Sequence, residues 1–278
     1  MRFKNINKKY LLTLINVIML NRKKNIEIQN WNWKTVQFLR NQNHEMEQVK
    51  NKSYENKDKI LVIVSCHTYG KLRWNAINSI MKFLNEINDI DIVIVNSSNL
   101  QLSENLKNIY KSNYIKYYEI DNDKFYGFSK WYYAIENVEI DNYKYITFIN
   151  DSILVHSSIK HFFDYTRNKD VDIFGYNDSS QICYHYQSYL FSIKSQCIQN
   201  FKKMFLDYKH LINNYNDVVN YYELKMLEYF KTRDCFLKLT EIDILNNKNI
   251  FFSNDYIYLN LRKNGYLPFT KLKRININ

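Results

Sequence analysis

From Lys59 onward, short runs of β-branched residues alternate with stretches whose apolar side chains recur every three or four positions. A chain patterned this way layers helices on a mostly parallel sheet. Ile60 to Ser65 reads as a strand, and Ile77, Ile80, Met81, Leu84 and Ile87 mark a helix by their spacing. Ile90 to Asn96 and Ile115 to Ile120 are the next strands. Phe128, Trp131, Tyr132, Ile135 and Val138 form one face of a second helix, and Tyr145 to Ile149 is the fourth strand. The expected fold is an α/β sandwich.

Sheets of this kind bind ligands beyond the carboxyl ends of their strands. That rule gathers Ser65 to Gly70, Asn96 to Ser98 and Asn150 to Ser152 at one rim. The fourth strand runs straight into the polar triplet of YITFINDSILV, as a strand end facing a ligand crevice would; an ordinary polar turn would read the same way. Only 4 glycines and 1 proline occur in 278 residues, so each glycine draws attention. Gly70, Gly127, Gly175 and Gly265 all fall in or beside candidate site segments.

Before Lys59 the texture differs. LLTLINVIML, Leu11 to Leu20, is flanked by basic residues and is too short to span a bilayer, which takes about 20 apolar residues. It suits either a helix packed on the main domain or a peripheral membrane contact through residues 1–24. Residues 1–57 are therefore read as a basic, apolar helical extension and linker, and residues 58–278 as the main domain. A net charge of +11 favours anionic partners without naming one. The four cysteines show neither close pairing nor zinc-type spacing, in keeping with reduced thiols and a cytoplasmic location.

The ordered segments VSCHTYG, IVNSS, YGFSKW, ITFINDSILV, DIFGYND, HYQSYLF, YYELKMLEYF and GYLPFTK resemble the rhamnan synthesis F family of glycosyltransferases over about residues 59 to 274. The resemblance implies a GT-A, Rossmann-like domain that moves a hexosyl or deoxyhexosyl group, with inversion, from a nucleotide-diphosphate donor to a hydroxyl of a surface polysaccharide or lipid-linked glycan of the cell envelope. It places the protein in the cytoplasm or at the inner face of a membrane. It assigns the donor to Ser65, His67, Tyr69, Asn96, Ser97, Lys130, Asn150 and Asp151. Sugar or acceptor binding falls to Gly175, His185, Gln187 and Ser188.

The family's fourth strand ends in D-x-D, which holds a divalent ion against the diphosphate; here that place reads Asn150-Asp151-Ser152, without the two outer carboxylates. Asp151 and Ser152 would then hold Mg²⁺ or Mn²⁺ with help from substrate phosphates. Lys71, Arg73 or Lys130 could instead neutralise the leaving diphosphate. Inverting transfer needs a base to take the acceptor's proton. The resemblance puts the family's glutamate at Glu223, and a helix from about Asp217 would set it amid an apolar stripe of Val219, Tyr222, Met226, Leu227 and Phe230. CYHYQSYLFSI alternates like a single strand that presents His185 and Gln187 on one face.

Two other readings stay in view. A degenerate relative could bind a nucleotide sugar without turnover, and 25 tyrosines in a basic chain could stack on nucleic-acid bases. Many of those tyrosines sit at core periods, so no nucleic-acid partner is expected.

Overall fold

The computed structural model describes residues 59–97, 104, 108, 115–180, 182–238 and 267–272. The extension 1–57 and Gly265 lie outside the described residues.

Strand β1 (Ile60–His67) is buried along all but its last residue. Because successive side chains point to opposite faces, Ile60, Val62, Val64 and Cys66 enter one core, with α1 (Gly70–Leu84) and with Phe162 and Phe163 of α3 (Lys160–Asn168). Leu61 and Ile63 enter the other, against α2 (Gly127–Asn137) and α4 (Ile198–Tyr208). Helices on both faces are why the strands read as continuous apolar runs. Trp131 of α2 anchors the second core against Phe148 and Phe191, and its indole N–H donates to the Ile149 carbonyl at 3.3 Å. Burying a side chain of this class contributes about 1.5–3 kcal/mol.

The sheet also contains β2 (Ile90–Ser97), β3 (Ile115–Glu119), β4 (Tyr145–Asn150), β6 (Ile173–Ser179), β7 (His185–Tyr186), β8 (Leu190–Lys194) and β9 (Arg233–Leu237). Its order is β3-β2-β1-β4-β8-β6-β7, with β9 on β6. Strands β3, β2, β1 and β4 are mutually parallel, whereas β8 runs antiparallel between β4 and β6. This is the expected mixed α/β sandwich on a mostly parallel sheet. A short ribbon of β5 (Ile153–Val155) and β10 (Phe269–Lys271) follows β4. Among the described residues no helix is long and apolar enough to cross a membrane.

Two local expectations are corrected. Cys183 to Ile193 is not one strand: β7 and β8 both run antiparallel to β6 but are out of register by two residues, because Gln187, Ser188 and Tyr189 bulge out between them, where the Gln187 N–H still donates to the Asn177 carbonyl at 3.1 Å. The helix near Asp217 is one α-turn, Tyr215–Asp217, capped by Asn214, that widens into a π-helix over Val218–Glu223. Its wider turn shows in the Leu224 N–H bonding the Val219 carbonyl at 2.9 Å. The buried stripe is Val218, Tyr222, Met226, Leu227 and Phe230, with Val218 in place of Val219, and Glu223 is half-buried beside it.

Candidate active site

Register assembles the rim. Parallel pairing sets His67 of β1 beside Ser97 of β2, Cys66 beside Asn96, and Ser65 beside Asn150 of β4. Three polar strand ends so converge on one edge, with the N-termini of α1 and α2 above them.

The polar triplet at the end of β4 resolves into distinct tasks. The Asn150 side-chain oxygen accepts from the Ser152 backbone N–H at 3.0 Å and from the Ser152 hydroxyl, closing the turn into β5. Its amide donates to the Ser188 carbonyl at 3.4 Å. Asp151 points inward and is only 5% exposed. One of its carboxylate oxygens accepts the His67 backbone N–H at 2.8 Å, and the other accepts from Arg73 Nη1 at 2.8 Å. The same Arg73 nitrogen also donates to the Asp151 carbonyl at 2.8 Å. Burial pushes the Asp151 carboxyl above the usual carboxylate range, while Arg73, the His67 N–H and Lys130 pull it back.

Lys130, on the first turn of α2, is 2% exposed and donates to the Tyr126 carbonyl at 3.3 Å. Burial lowers its pKa, opposed first by Asp123 and then by Asp151, so its charge acts on the same crevice. Tyr126 holds φ at +55°, an unusual value for a residue with a side chain, and so aims its carbonyl at both Lys130 and Ser129. Asp123, which the sequence reading passed over, accepts from the Phe125 N–H at 2.9 Å and the Ser129 hydroxyl at 2.8 Å. Its signal was local: an aspartate a few residues ahead of a glycine-started helix.

His67 is half-buried, with Nδ1 3.1 Å from the Ser97 carbonyl and 3.0 Å from its hydroxyl. Burial, followed by Lys130, lowers its pKa and favours the neutral ring. Tyr69 stacks on that ring at 6.1 Å and is 73% exposed, a free aromatic face at the rim. An open depression of about 420 Å³ lies beyond β3, bordered by Glu119, Ile120, Asp121 and Asn122, and the Asn122 side chain accepts from the Ser97 hydroxyl at 3.3 Å.

Two residues expected to contact the donor are buried and bonded within the sheet. Asn96 is fully buried; its oxygen accepts from the Thr68 N–H at 3.3 Å and its amide donates to the Tyr117 hydroxyl at 3.1 Å, latching β1, β2 and β3 together. Ser65 is also buried, its carbonyl accepting the Asp151 N–H at 3.2 Å. Gly127 packs against it so closely that a Cβ there would lie 2.9 Å from the Ser65 hydroxyl.

Beyond the rim, Glu223 accepts the Ser188 N–H at 3.3 Å and has no other hydrogen-bond partner among the described residues. Ser188 thus links Glu223 to Asn150 and the strand-end rim. Gln187 contacts His185 Nε2 at 3.0 Å through its amide nitrogen and accepts from Lys271 Nζ at 2.8 Å. His185 Nδ1 lies 2.8 Å from the Cys183 carbonyl, so the ring donates there and accepts from Gln187. Gly175 packs under Tyr186, whose Cγ would lie 2.6 Å from an added Cβ.

A divalent cation fits this donor set poorly. Both Asp151 oxygens and the Asn150 oxygen are already engaged, and the Ser152 hydroxyl is turned to Asn150. Among the described residues no group of three His, Cys, Asp or Glu side chains gathers. A hard cation would have to displace Arg73, itself a cation, from the lone carboxylate.

No family model and no curated protein sequence matches the chain, so the resemblance to the rhamnan synthesis F family gains no support from them. In backbone course the chain is similar to 4-diphosphocytidyl-2C-methyl-D-erythritol synthase of Anaerococcus prevotii, at 9% identity and a TM-score of 0.46, over 75% of this chain and 97% of that one. It is similar to the glycosyltransferase GlyE of Streptococcus pneumoniae at 11% identity and a TM-score of 0.42, over 75% and 51%. It is also similar to a mannosyltransferase of Pyrobaculum calidifontis, solved with GDP-Man and Mn²⁺, at 9% identity and a TM-score of 0.41, over 56% and 51%. At such identities and scores, these likenesses assign neither substrate nor chemistry to this chain.

Proposed function

We propose that the chain is an inverting glycosyltransferase, moving a hexosyl or deoxyhexosyl group from a nucleotide-diphosphate donor to a hydroxyl of a surface polysaccharide or lipid-linked glycan. The observation that supports it best is the joining of two half-sites: Asp151, Arg73, Lys130 and His67 at the strand ends, and Glu223 tied to them through Ser188 and Asn150. The ordered motifs of the sequence support the same reading.

In this reading Tyr69 and His67 offer an aromatic face and a ring edge to the nucleoside, and the diphosphate lies near Arg73 and Lys130. The acceptor oxygen attacks the anomeric carbon from the opposite side as its proton passes to the free oxygen of Glu223. The bond from that carbon to the diphosphate oxygen breaks, and the nucleoside diphosphate leaves with both bonding electrons. Electrostatic stabilisation of that departing charge is the large term such a site can supply. Residues 58–278 carry the chemistry, and residues 1–57 serve location at the inner face of a membrane.

A melting-temperature panel of UDP-, GDP-, CDP- and dTDP-sugars tests the reading. A donor at about 100 times its dissociation constant stabilises by about 2.7 kcal/mol. A shift with a single nucleotide class, followed by release of the nucleoside diphosphate on addition of acceptor, is expected. No shift with any nucleotide sugar rejects the reading. The occupied Asp151 also favours a second one, binding without turnover, which a shift with no release of nucleoside diphosphate would support.

A further inference from the structure

We propose that this chain binds the diphosphate of its ligand without a divalent cation, Arg73 and Lys130 standing where a metal would sit beside the strand-end carboxylate. The choice of a diphosphate rests on the transferase reading; the cationic site rests on geometry.

Three observations carry it. First, Asp151 is engaged at both oxygens, each with a partner at 2.8 Å and one of those partners a cation, so the lone acidic side chain of the Asn-Asp-Ser triplet serves as a counter-ion to Arg73. Second, Arg73 makes both of its described bonds through Nη1, and among the described residues Nε and Nη2 have no partner. Its side chain is 36% exposed, so a fork of N–H donors fixed by Asp151 still faces solvent. Third, Lys130 is buried with one long bond to a carbonyl, leaving donor capacity on Nζ that no described residue fills. A buried ammonium so thinly partnered is unfavourable unless an anion completes it.

The surroundings agree. No side chain caps α1, and the space beside Gly70 at its start, where φ is +81°, is open enough to meet a Cβ with nothing within 4 Å. Backbone N–H groups there can approach a phosphate alongside Arg73. Asp151 then acts as a positioning residue that orients the guanidinium.

The test is titration calorimetry of the full chain with inorganic pyrophosphate, UDP and GDP, each in EDTA and in Mn²⁺. Expected is binding of at least one probe in EDTA with an affinity changed less than threefold by Mn²⁺. In Arg73→Gln and in Lys130→Met that affinity should fall tenfold or more. Because Arg73→Gln strands a buried carboxylate, Arg73→Gln/Asp151→Asn is measured beside it and should show the same loss. Binding that requires Mn²⁺ overturns the proposal. Absence of binding by every probe in either condition overturns it too. The two readings fail separately: sugar transfer that runs only with Mn²⁺ would sink this proposal and keep the transferase, whereas metal-free pyrophosphate binding without any sugar transfer would do the reverse.

Discussion

Arg73 grips Asp151 twice from one nitrogen, reaching its carboxylate and its backbone carbonyl at 2.8 Å each, across 78 positions of sequence. The bond to the carbonyl fixes the turn after β4, and the bond to the carboxylate fixes the guanidinium. Asp151→Asn keeps the shape but leaves only one oxygen for two donors, Arg73 and the His67 N–H. One of them must then face an amide N–H. The expected result is a fall in nucleotide-diphosphate affinity of about tenfold, equivalent to 1.4 kcal/mol, measured by calorimetry.

The same pair makes a signed prediction about titration. Burial raises the Asp151 pKa and Arg73 lowers it, so Arg73→Gln should raise it further. A raised folded-state pKa means that the folded protein binds this proton more readily than the unfolded chain. The group's contribution to stability is present below the unfolded value and is lost as pH rises through the folded one. Carboxyl titration of Asp151 by ¹³C NMR, in the parent and in Arg73→Gln, reads both directions. An unchanged or lower value in the variant would mean that Arg73 does not act on this carboxylate.

Gly175 gives a prediction about packing. An added Cβ would lie 2.6 Å from Tyr186 Cγ and 2.7 Å from Cδ2, and Tyr186 is fully buried with little room to yield. Gly175→Ala should destabilise by about 1–3 kcal/mol in urea unfolding. Combined with Tyr186→Ala, the two losses should be less than additive. Loss of nucleotide or acceptor affinity at unchanged stability would instead return Gly175 to the binding site.

How much of this was legible in the chain follows from range. The strands and helices from Ile60 to Ile149 were readable because both faces of the sheet are covered, which writes apolar runs and helical periods directly into the sequence. The rim was readable because topology puts strand ends there. What each rim residue does was not readable, since it depends on register and long-range partners: Asn96 meets Thr68 and Tyr117, and Asp151 meets Arg73. The π-turn at Val218–Glu223 was hidden as well, because a helical stripe reads the same until one turn widens.

His67 should make the fold sensitive to mild acid. Its folded-state pKa lies below the ordinary histidine value through burial and the charge of Lys130. The stability it contributes is present above about pH 6.5, the unfolded value, and is lost as pH falls toward the folded value. Melting temperature should therefore decline below about pH 6.5. His67→Asn, which can keep a bond to Ser97 where Nδ1 now sits, should flatten that decline. An identical pH profile in the variant would assign the sensitivity elsewhere.

Glu223 separates chemistry from architecture. One of its oxygens accepts the Ser188 N–H at 3.3 Å, and the other has no partner among the described residues. A purely structural carboxylate would show fuller use of both oxygens. Glu223→Gln retains an oxygen for the Ser188 N–H and nearly the same volume, and removes the basic oxygen. If Glu223 accepts the acceptor's proton, transfer should fall by about 10²–10⁴ while donor affinity and melting temperature stay at the parent's values. Near-parent turnover in Glu223→Gln would move the base to another carboxylate. A large drop in melting temperature would show instead that the bond to Ser188 holds the bulge between β7 and β8, making Glu223 a structural residue.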